Sequence, residues 1–215
     1  MNKLATVVAI ALVVLLGAGA AEAATVTWNF DVPTGGGIGS THTYNSTPLG
    51  LAIVLDAFNT ASTGNPGFLF GKQDGGDENG VGVCQNSAGT SCGVHEIDPG
   101  EFIRVNFGSL VLSGVQLKIG SVQSGENYNI YTSASNNAFA GGTQCVANGT
   151  LDDTFFALNC PGGVKQFVFV TAGSVDVLLE AIQATTPVPE PITMFLGGTG
   201  LLVLGYAARR RLFAR

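Results

Sequence analysis

A run of residues without charge, from position 192 to 208, is followed at once by a cluster of arginines. As an α-helix this run would be about 26 Å long at about 1.5 Å per residue. That length is at the short end of what crosses a hydrocarbon core of about 30 Å. Arg209, Arg210 and Arg211 come next, and basic residues favour the cytoplasmic side of a membrane. We therefore predict a single transmembrane helix over residues 192–208, with the preceding chain on the outer side.

The beginning of the chain has the layout of a secretory signal peptide. Lys3 precedes an apolar run that ends near Gly17, and Ala21-Glu22-Ala23 matches the Ala-x-Ala pattern at which such peptides are cleaved. We predict a signal peptide over residues 1–23. Cleavage after Ala20 and an uncleaved membrane anchor are the alternatives. The chain is accordingly predicted to be exported.

The remaining residues, 24–186, are enough for one domain with a sizeable core. Apolar and polar residues alternate in short runs that are typical of strands, such as TVTWNFDV, LAIVLDAF, KQFVFVTA and SVDVLLEAIQA. Turn formers separate them, such as NTASTGNPG and DGGDENG, and we interpret THTYNST (41–47) as a further polar loop. This pattern predicts a mostly β fold, an antiparallel β-sandwich or jelly roll.

The predicted domain is strongly acidic. Between residues 25 and 186 four basic residues face thirteen acidic ones, a net charge of −9. Bulk electrostatics therefore exclude nucleic acid as a partner of this region. The same charge favours solubility, and it would also suit divalent cations.

The four cysteines of the chain support the prediction that it is exported. They lie at positions 84, 92, 145 and 160 and form no C-x-x-C motif. In an oxidising compartment such a set is typical of disulfides rather than of a zinc site. Three pairings exist, and we favour Cys84–Cys92 with Cys145–Cys160 because both bridges then close short loops.

The residues before the predicted transmembrane helix complete a recognisable pattern. Pro187, Pro189 and Pro191 keep this stretch extended, which suits entry into the cleft of a peptidase. Pro189, Glu190 and Pro191 form a Pro-Glu-Pro motif. Pro-Glu-Pro, an apolar segment and an arginine cluster together resemble the PEP-CTERM sorting signal of Gram-negative bacteria, from Val188 to about Arg211. We assign residues 187–215 to this signal. The resemblance implies processing by exosortase and a link to exopolysaccharide and biofilm matrix.

An acidic stretch in the middle of the chain is a candidate cation site. Ca²⁺ favours several carboxylate and carbonyl oxygens gathered from one turn, and Asp77, Glu96 and Asp98 are the candidate ligands of a structural Ca²⁺. The segment from GVGV (80–83) to HEID (95–98) resembles an ectodomain type found ahead of this sorting signal. There a glycine-rich loop precedes an Asn/Asp-Glu-Ile-Asp step, and His95 stands here in the Asn/Asp position.

Signals for catalysis are weak. The domain has two histidines, of which we expect His42 to be exposed, and no G-x-S-x-G elbow. The aromatic residues Trp28, Tyr44, Tyr128 and Tyr131 are candidates for stacking on sugar rings, although the alternation in its strand predicts that Trp28 is buried.

Two functional hypotheses follow from these patterns. The first is a non-enzymatic protein of the cell surface or matrix, without a cofactor, that is anchored transiently in the inner membrane and processed by exosortase. The second is a carbohydrate-binding or glycan-hydrolysing domain that the same route delivers to exopolysaccharide.

Overall fold

Short alternating runs form thirteen strands within the part of the chain that the structure describes. The structure is a computed structural model, and it describes residues 23–30, 36–59, 65–73, 78–85, 95–136 and 142–187. The strands are β1 (Ala23–Asn29), β2 (Gly36–Gly39), β3 (Thr41–Asn45), β4 (Ala52–Phe58), β5 (Phe68–Gln73), β6 (Asn79–Cys84), β7 (Phe102–Asn106), β8 (Ser113–Gly120), β9 (Tyr128–Ser133), β10 (Thr143–Gly149), β11 (Phe156–Ala157), β12 (Phe167–Ala172) and β13 (Leu178–Pro187). None of the described residues is helical.

The strands form two antiparallel sheets. Sheet A has the order β11-β8-β13-β6-β5-β2, with β1 also paired to β13, and sheet B has the order β10-β9-β12-β7-β4-β3. Residues 25–186 make up one compact unit. The prediction of an antiparallel sandwich is confirmed at the level of two sheets, and the finer jelly-roll assignment stays a prediction.

The main core lies between the sheets, because alternate residues of each strand face inward. Trp28 is completely buried there, as its alternation predicts, and its indole N–H donates to the carbonyl oxygen of Leu51 at 2.6 Å. Strand β13 is buried on both faces over most of its length. A strand of this kind needs nearly continuous apolar residues, as the run VLLEAI has around its single glutamate.

A second, smaller cluster of four phenylalanines covers the outer face of sheet B. Its members are Phe58, Phe102, Phe167 and Phe169. The guanidinium of Arg104 lies over the rings of Phe58 and Phe167, 5.0 and 5.6 Å from their centroids. Arg104 also donates to the Asp56 carboxylate at 2.9 Å. This cation therefore contributes both an ion pair and cation–π contacts to the face.

Two predicted loops are strands. Residues 41–45 of the predicted polar loop form β3, an edge strand that pairs with β4 from Thr41↔Asp56 to Asn45↔Ala52. Its exposed threonines suit the edge of a sheet, since threonine favours strands. The GVGV stretch lies inside β6, because glycine lets a neighbouring segment lie directly on the strand.

The Cys145–Cys160 disulfide forms as the short-loop argument predicts. It links β10 to the loop that follows β11. Cys84 is disulfide-bonded as well. Its predicted partner Cys92 lies outside the described residues, so that pairing stays a prediction.

Replacing Cys145 and Cys160 together by alanine is expected to destabilise the domain. The bridge closes a sequence separation of 15 residues, and a loop of this size contributes about 3 kcal/mol in the chain-entropy account. Urea denaturation followed by circular dichroism measures the loss. Thr150→Ala, at an exposed position near the bridge, is the matched control and should change stability by less than about 0.5 kcal/mol. Equal stability of the double variant and the control would contradict the prediction.

Candidate functional site

A buried lysine on β5 is the centre of a charged cluster on the outer face of sheet A. The Lys72 ammonium lies 2.7 Å from the Glu78 carboxylate and donates to Glu96 as well. Ser121 donates its hydroxyl to the same Glu96 oxygen at 3.0 Å. Lys72 and Glu96 are only 8% and 4% exposed. We call these four residues the Lys72 cluster.

Glycines in β6 make this cluster sterically feasible. Lys72 is the cross-strand partner of Gly80, so no side chain competes for the space beside it. A Cβ atom on Gly82 would lie 2.3 Å from the carbonyl oxygen of His95 and 2.5 Å from the Cα atom of Glu96. The segment that carries Glu96 therefore lies directly on β6, and the Val83 N–H donates to the Glu96 carbonyl oxygen at 3.1 Å.

Two carboxylates keep the lysine charged. Burial alone would lower the pKa of Lys72, but hydrogen bonds and charge attraction from Glu78 and Glu96 outweigh it and raise the pKa above its ordinary value. A neutral lysine, which nucleophilic or Schiff-base chemistry requires, is thus disfavoured here. The arrangement is typical of a structural ion-pair network.

A second charged group on sheet A has the same construction. Lys118 on β8 lies 3.3 Å from the Asp153 carboxylate and pairs with Glu180 on β13. A Cβ atom on Gly120 would overlap the Glu180 carboxylate, so glycine again makes room for a buried charge. Burial raises the pKa of Glu180 to about 7, although the hydrogen bond from Lys118 opposes this rise.

The turn that leads into β7 holds a further buried carboxyl group. Glu101 accepts a hydrogen bond from the Asp98 N–H at 3.1 Å. Burial raises the pKa of Glu101 to about 7, and the charge of Asp98 adds to the rise. Burial also raises the pKa of Asp98, with Asp176 contributing. These carboxyl groups therefore favour the protonated form more than exposed ones do.

The predicted calcium ligands are only partly described. Glu96 already accepts hydrogen bonds from Lys72 and Ser121, and Asp77 lies outside the described residues. Among the residues that are described, no three His, Cys, Asp or Glu side chains come close enough together to hold a metal ion. A structural Ca²⁺ with Asp77, Glu96 and Asp98 stays a prediction.

The candidate sugar-stacking residues separate into buried and accessible ones. Trp28 and Tyr128 are fully buried, and Tyr44 packs edge-on against Phe30 with its hydroxyl buried. Tyr131 is partly exposed on the outer face of sheet B, where Gln144 donates to its hydroxyl at 3.4 Å and to Asn129 at 3.3 Å. Tyr131, Gln144 and Asn129 therefore form a mixed aromatic and polar surface, which we call the Tyr131 patch.

The two histidines of the domain contact aromatic rings, His42 edge-on and His95 by stacking. His42 is exposed on β3, as predicted, and contacts Tyr44 with ring centroids 4.7 Å apart. His95 stacks on Phe70 at 4.1 Å.

The predicted sorting residues follow the end of β13. Pro189, Glu190, Pro191, Arg209, Arg210 and Arg211 all lie outside the described residues. Within the described part of the chain, no helix is long and apolar enough to cross a membrane. The structure describes the chain up to Pro187, where β13 ends.

Comparison with family models decides the nature of this segment. The model of the PEP-CTERM protein-sorting motif matches residues 187–211. The chain carries a PEP-CTERM sorting signal. The PEP-CTERM motif is a substrate signal for exosortase processing, and it indicates export and sorting to the cell surface. The match begins at Pro187, the last residue of β13.

No curated protein and no solved structure matches the chain. The body of the chain, residues 25–186, is therefore interpreted from its own geometry.

Sequence reasoning missed Lys72 and Glu180 as centres of buried charge. The available signal was a lysine at the end of the apolar run FLFGK and a glutamate within VLLEAI. In strands that are otherwise apolar, a charged residue requires a partner. Their partners are distant in sequence, and the strand pattern alone does not identify them.

Removing the charge of Lys72 is expected to destabilise the body strongly. Lys72→Met leaves buried Glu96 without its cation, and breaking a buried pair in this way costs about 3–5 kcal/mol. The double variant Lys72→Met, Glu96→Gln should recover part of the loss. Chemical denaturation measures both. Lys165→Met, at an exposed lysine, serves as control, and an equal effect of Lys72→Met and Lys165→Met would refute the role of the pair.

The stability of the body is expected to decrease as the pH rises from about 4.5 to about 7. The pKa of Glu101 is raised in the folded state from 4.5 to about 7, so folding favours the protonated group. The stabilisation that protonated Glu101 contributes is complete below the unfolded pKa. It is lost as the pH rises through the folded pKa, which lowers the free energy of unfolding by about 2–3 kcal/mol.

Thermal unfolding at a series of pH values tests this effect. Glu101→Gln, which stays neutral and retains an acceptor for the Asp98 N–H, should make the profile less steep between pH 5 and 7, while the contribution of Glu180, whose pKa is also raised to about 7, remains. Ser124→Ala, an exposed change, should leave it as it is. A profile that is the same in all three proteins would show that Glu101 does not titrate as stated.

Proposed function

We propose that this chain is a non-enzymatic protein of the extracellular matrix or cell surface that associates with exopolysaccharide. In this proposal a signal peptide at residues 1–23 directs export. A helix at residues 192–208 then anchors the chain transiently in the inner membrane, and exosortase processes it at the Pro-Glu-Pro region. The observation that carries the proposal is the PEP-CTERM match at residues 187–211.

The chemistry of the body supports a structural role. Among the described residues, Lys72 is paired with Glu78 and Glu96, and Lys118 is paired with Glu180. The described histidines contact aromatic rings. These side chains are therefore occupied in holding the sandwich together, as in a scaffold or matrix module.

Processing is tested on the protein as it is secreted. Replacing Pro189, Glu190 and Pro191 together by alanine should leave the chain in the membrane fraction with its tail intact, because the peptidase loses its recognition sequence. Mass spectrometry of the mature protein reports both termini. The control is Pro161→Ala, an exposed proline of the body, which should be processed normally. Identical C-termini in the triple variant and the control would overturn the proposal.

The Tyr131 patch favours carbohydrate binding as a second candidate function. A partly exposed aromatic ring beside amide side chains suits weak recognition of a sugar, since the ring can stack while the amides bind hydroxyl groups. Binding of the secreted protein to exopolysaccharide, with Tyr131→Ala and His42→Ala compared, tests this function. A loss confined to Tyr131→Ala would support the lectin hypothesis, and equal binding of both variants would remove it.

A further inference from the structure

The end of the sandwich at which β13 stops carries exposed apolar side chains. We call it the tail end and define it by the turn 46–51, the loop 107–112 and the last residues of β13, 183–187. Thr185 of β13 pairs with Ser113, the residue after the loop. Gln183 donates to the Thr27 hydroxyl at 3.2 Å, and the Thr27 N–H donates to the Thr47 carbonyl oxygen in the turn at 2.9 Å.

The tail end carries exposed apolar side chains and no charge in its two loops. The turn reads STPLGL and the loop reads FGSLVL. Val111 at the apex of the loop is 73% exposed, and Leu49 in the turn is 43% exposed. Trp28 packs beneath both segments, since its N–H binds the Leu51 carbonyl oxygen and its ring lies 6.3 Å from that of Phe107. Both loops are thus supported by the core.

The opposite end of the sandwich is acidic. The segments that meet there include 95–101, 121–127, 150–153 and 173–177, as the bridges Ile97↔Val177 and Pro99↔Ala172 and the hydrogen bond from Val122 N–H to Asp152 show. Their acidic residues are Glu96, Asp98, Glu101, Glu126, Asp152, Asp153 and Asp176. Strand β13 runs from this end to the tail end over 10 residues, about 33 Å at about 3.3 Å per residue.

Chain length places the tail end close to any membrane that holds the sorting signal. Pro187 ends β13, and the predicted transmembrane helix begins at residue 192. Even a fully extended chain spans at most about 18 Å over this interval. The acidic end lies several Debye lengths farther away, because that length is about 8 Å at physiological ionic strength.

We infer that the tail end is a lipid-docking surface that rests on the membrane interface while the chain is anchored, with Val111 and Leu49 entering the headgroup layer. The inference rests on the proposed transient anchor. Two loops without charge avoid repulsion by anionic lipids, and the exposed valine and leucine gain contact with the acyl boundary. The docked body keeps the Pro-Glu-Pro region close to the membrane surface, where a membrane peptidase acts.

The test uses the full-length chain with its tail intact, reconstituted in vesicles of phosphatidylcholine and phosphatidylglycerol with brominated acyl chains. Val111→Trp and, as a second reporter, Leu49→Trp introduce a tryptophan at the tail end. Leu151→Trp is the matched control, since Leu151 is 52% exposed and lies toward the acidic end, where its carbonyl oxygen binds the Tyr128 hydroxyl. The fluorescence of the unmodified chain, whose Trp28 is buried, is subtracted. Flotation with the vesicles is measured in parallel, and melting curves verify that each variant is folded.

We expect about twofold or greater quenching of Val111→Trp relative to Leu151→Trp in floating protein, as for a side chain at the acyl boundary. If the protein floats but Val111→Trp and Leu151→Trp are quenched equally, or not at all, the docking surface is overturned and the anchor is not. Failure to float overturns both the anchor and the docking surface. The emission of Val111→Trp could instead shift with increasing protein concentration, without quenching. This result would assign the tail end to contacts between copies of the chain and would also overturn the inference.

Discussion

The close approach of residues 95 and 96 to Gly82 is the constraint on which the charged face of sheet A depends. Because β6 has no side chain at this position, the backbone of the following segment lies on the strand and carries Glu96 to Lys72. The resulting pair places two charges where water is nearly absent, and each is tolerated only because the other is present. A larger residue at position 82 would displace the segment, and with it the ion pair and the turn that continues to Glu101.

The conformation of His95 suggests why its position favours asparagine or aspartate in the ectodomain type that this segment resembles. Its φ angle is 64°, in the left-handed region where Asn, Asp and His are enriched among residues other than glycine. A preference for Asn or Asp there follows from the backbone alone and needs no metal. Glu96, the neighbouring candidate ligand, has a lysine as its partner. The turn is therefore explained by conformation and ion pairing.

The sequence is sufficient to predict the sandwich, but it does not predict the contacts on the outer faces of the sheets. Alternation identified β1, β4, β12 and β13, because inward-facing positions in a sandwich must be apolar. It missed β3, whose polar residues face water at an edge, and β6, whose glycines bear no side chain to alternate. The Lys72–Glu96 and Arg104–Asp56 pairs join residues far apart in sequence. Pairs of this kind follow from strand order, which periodicity in a single sequence does not specify.

The position of the sorting signal relative to β13 explains how processing and stability are compatible. The strand is buried through Thr186, and exposure begins at Pro187, where the family match also begins. Removal of residues beyond the Pro-Glu-Pro region therefore takes away none of the described hydrogen bonds or core contacts of the sandwich.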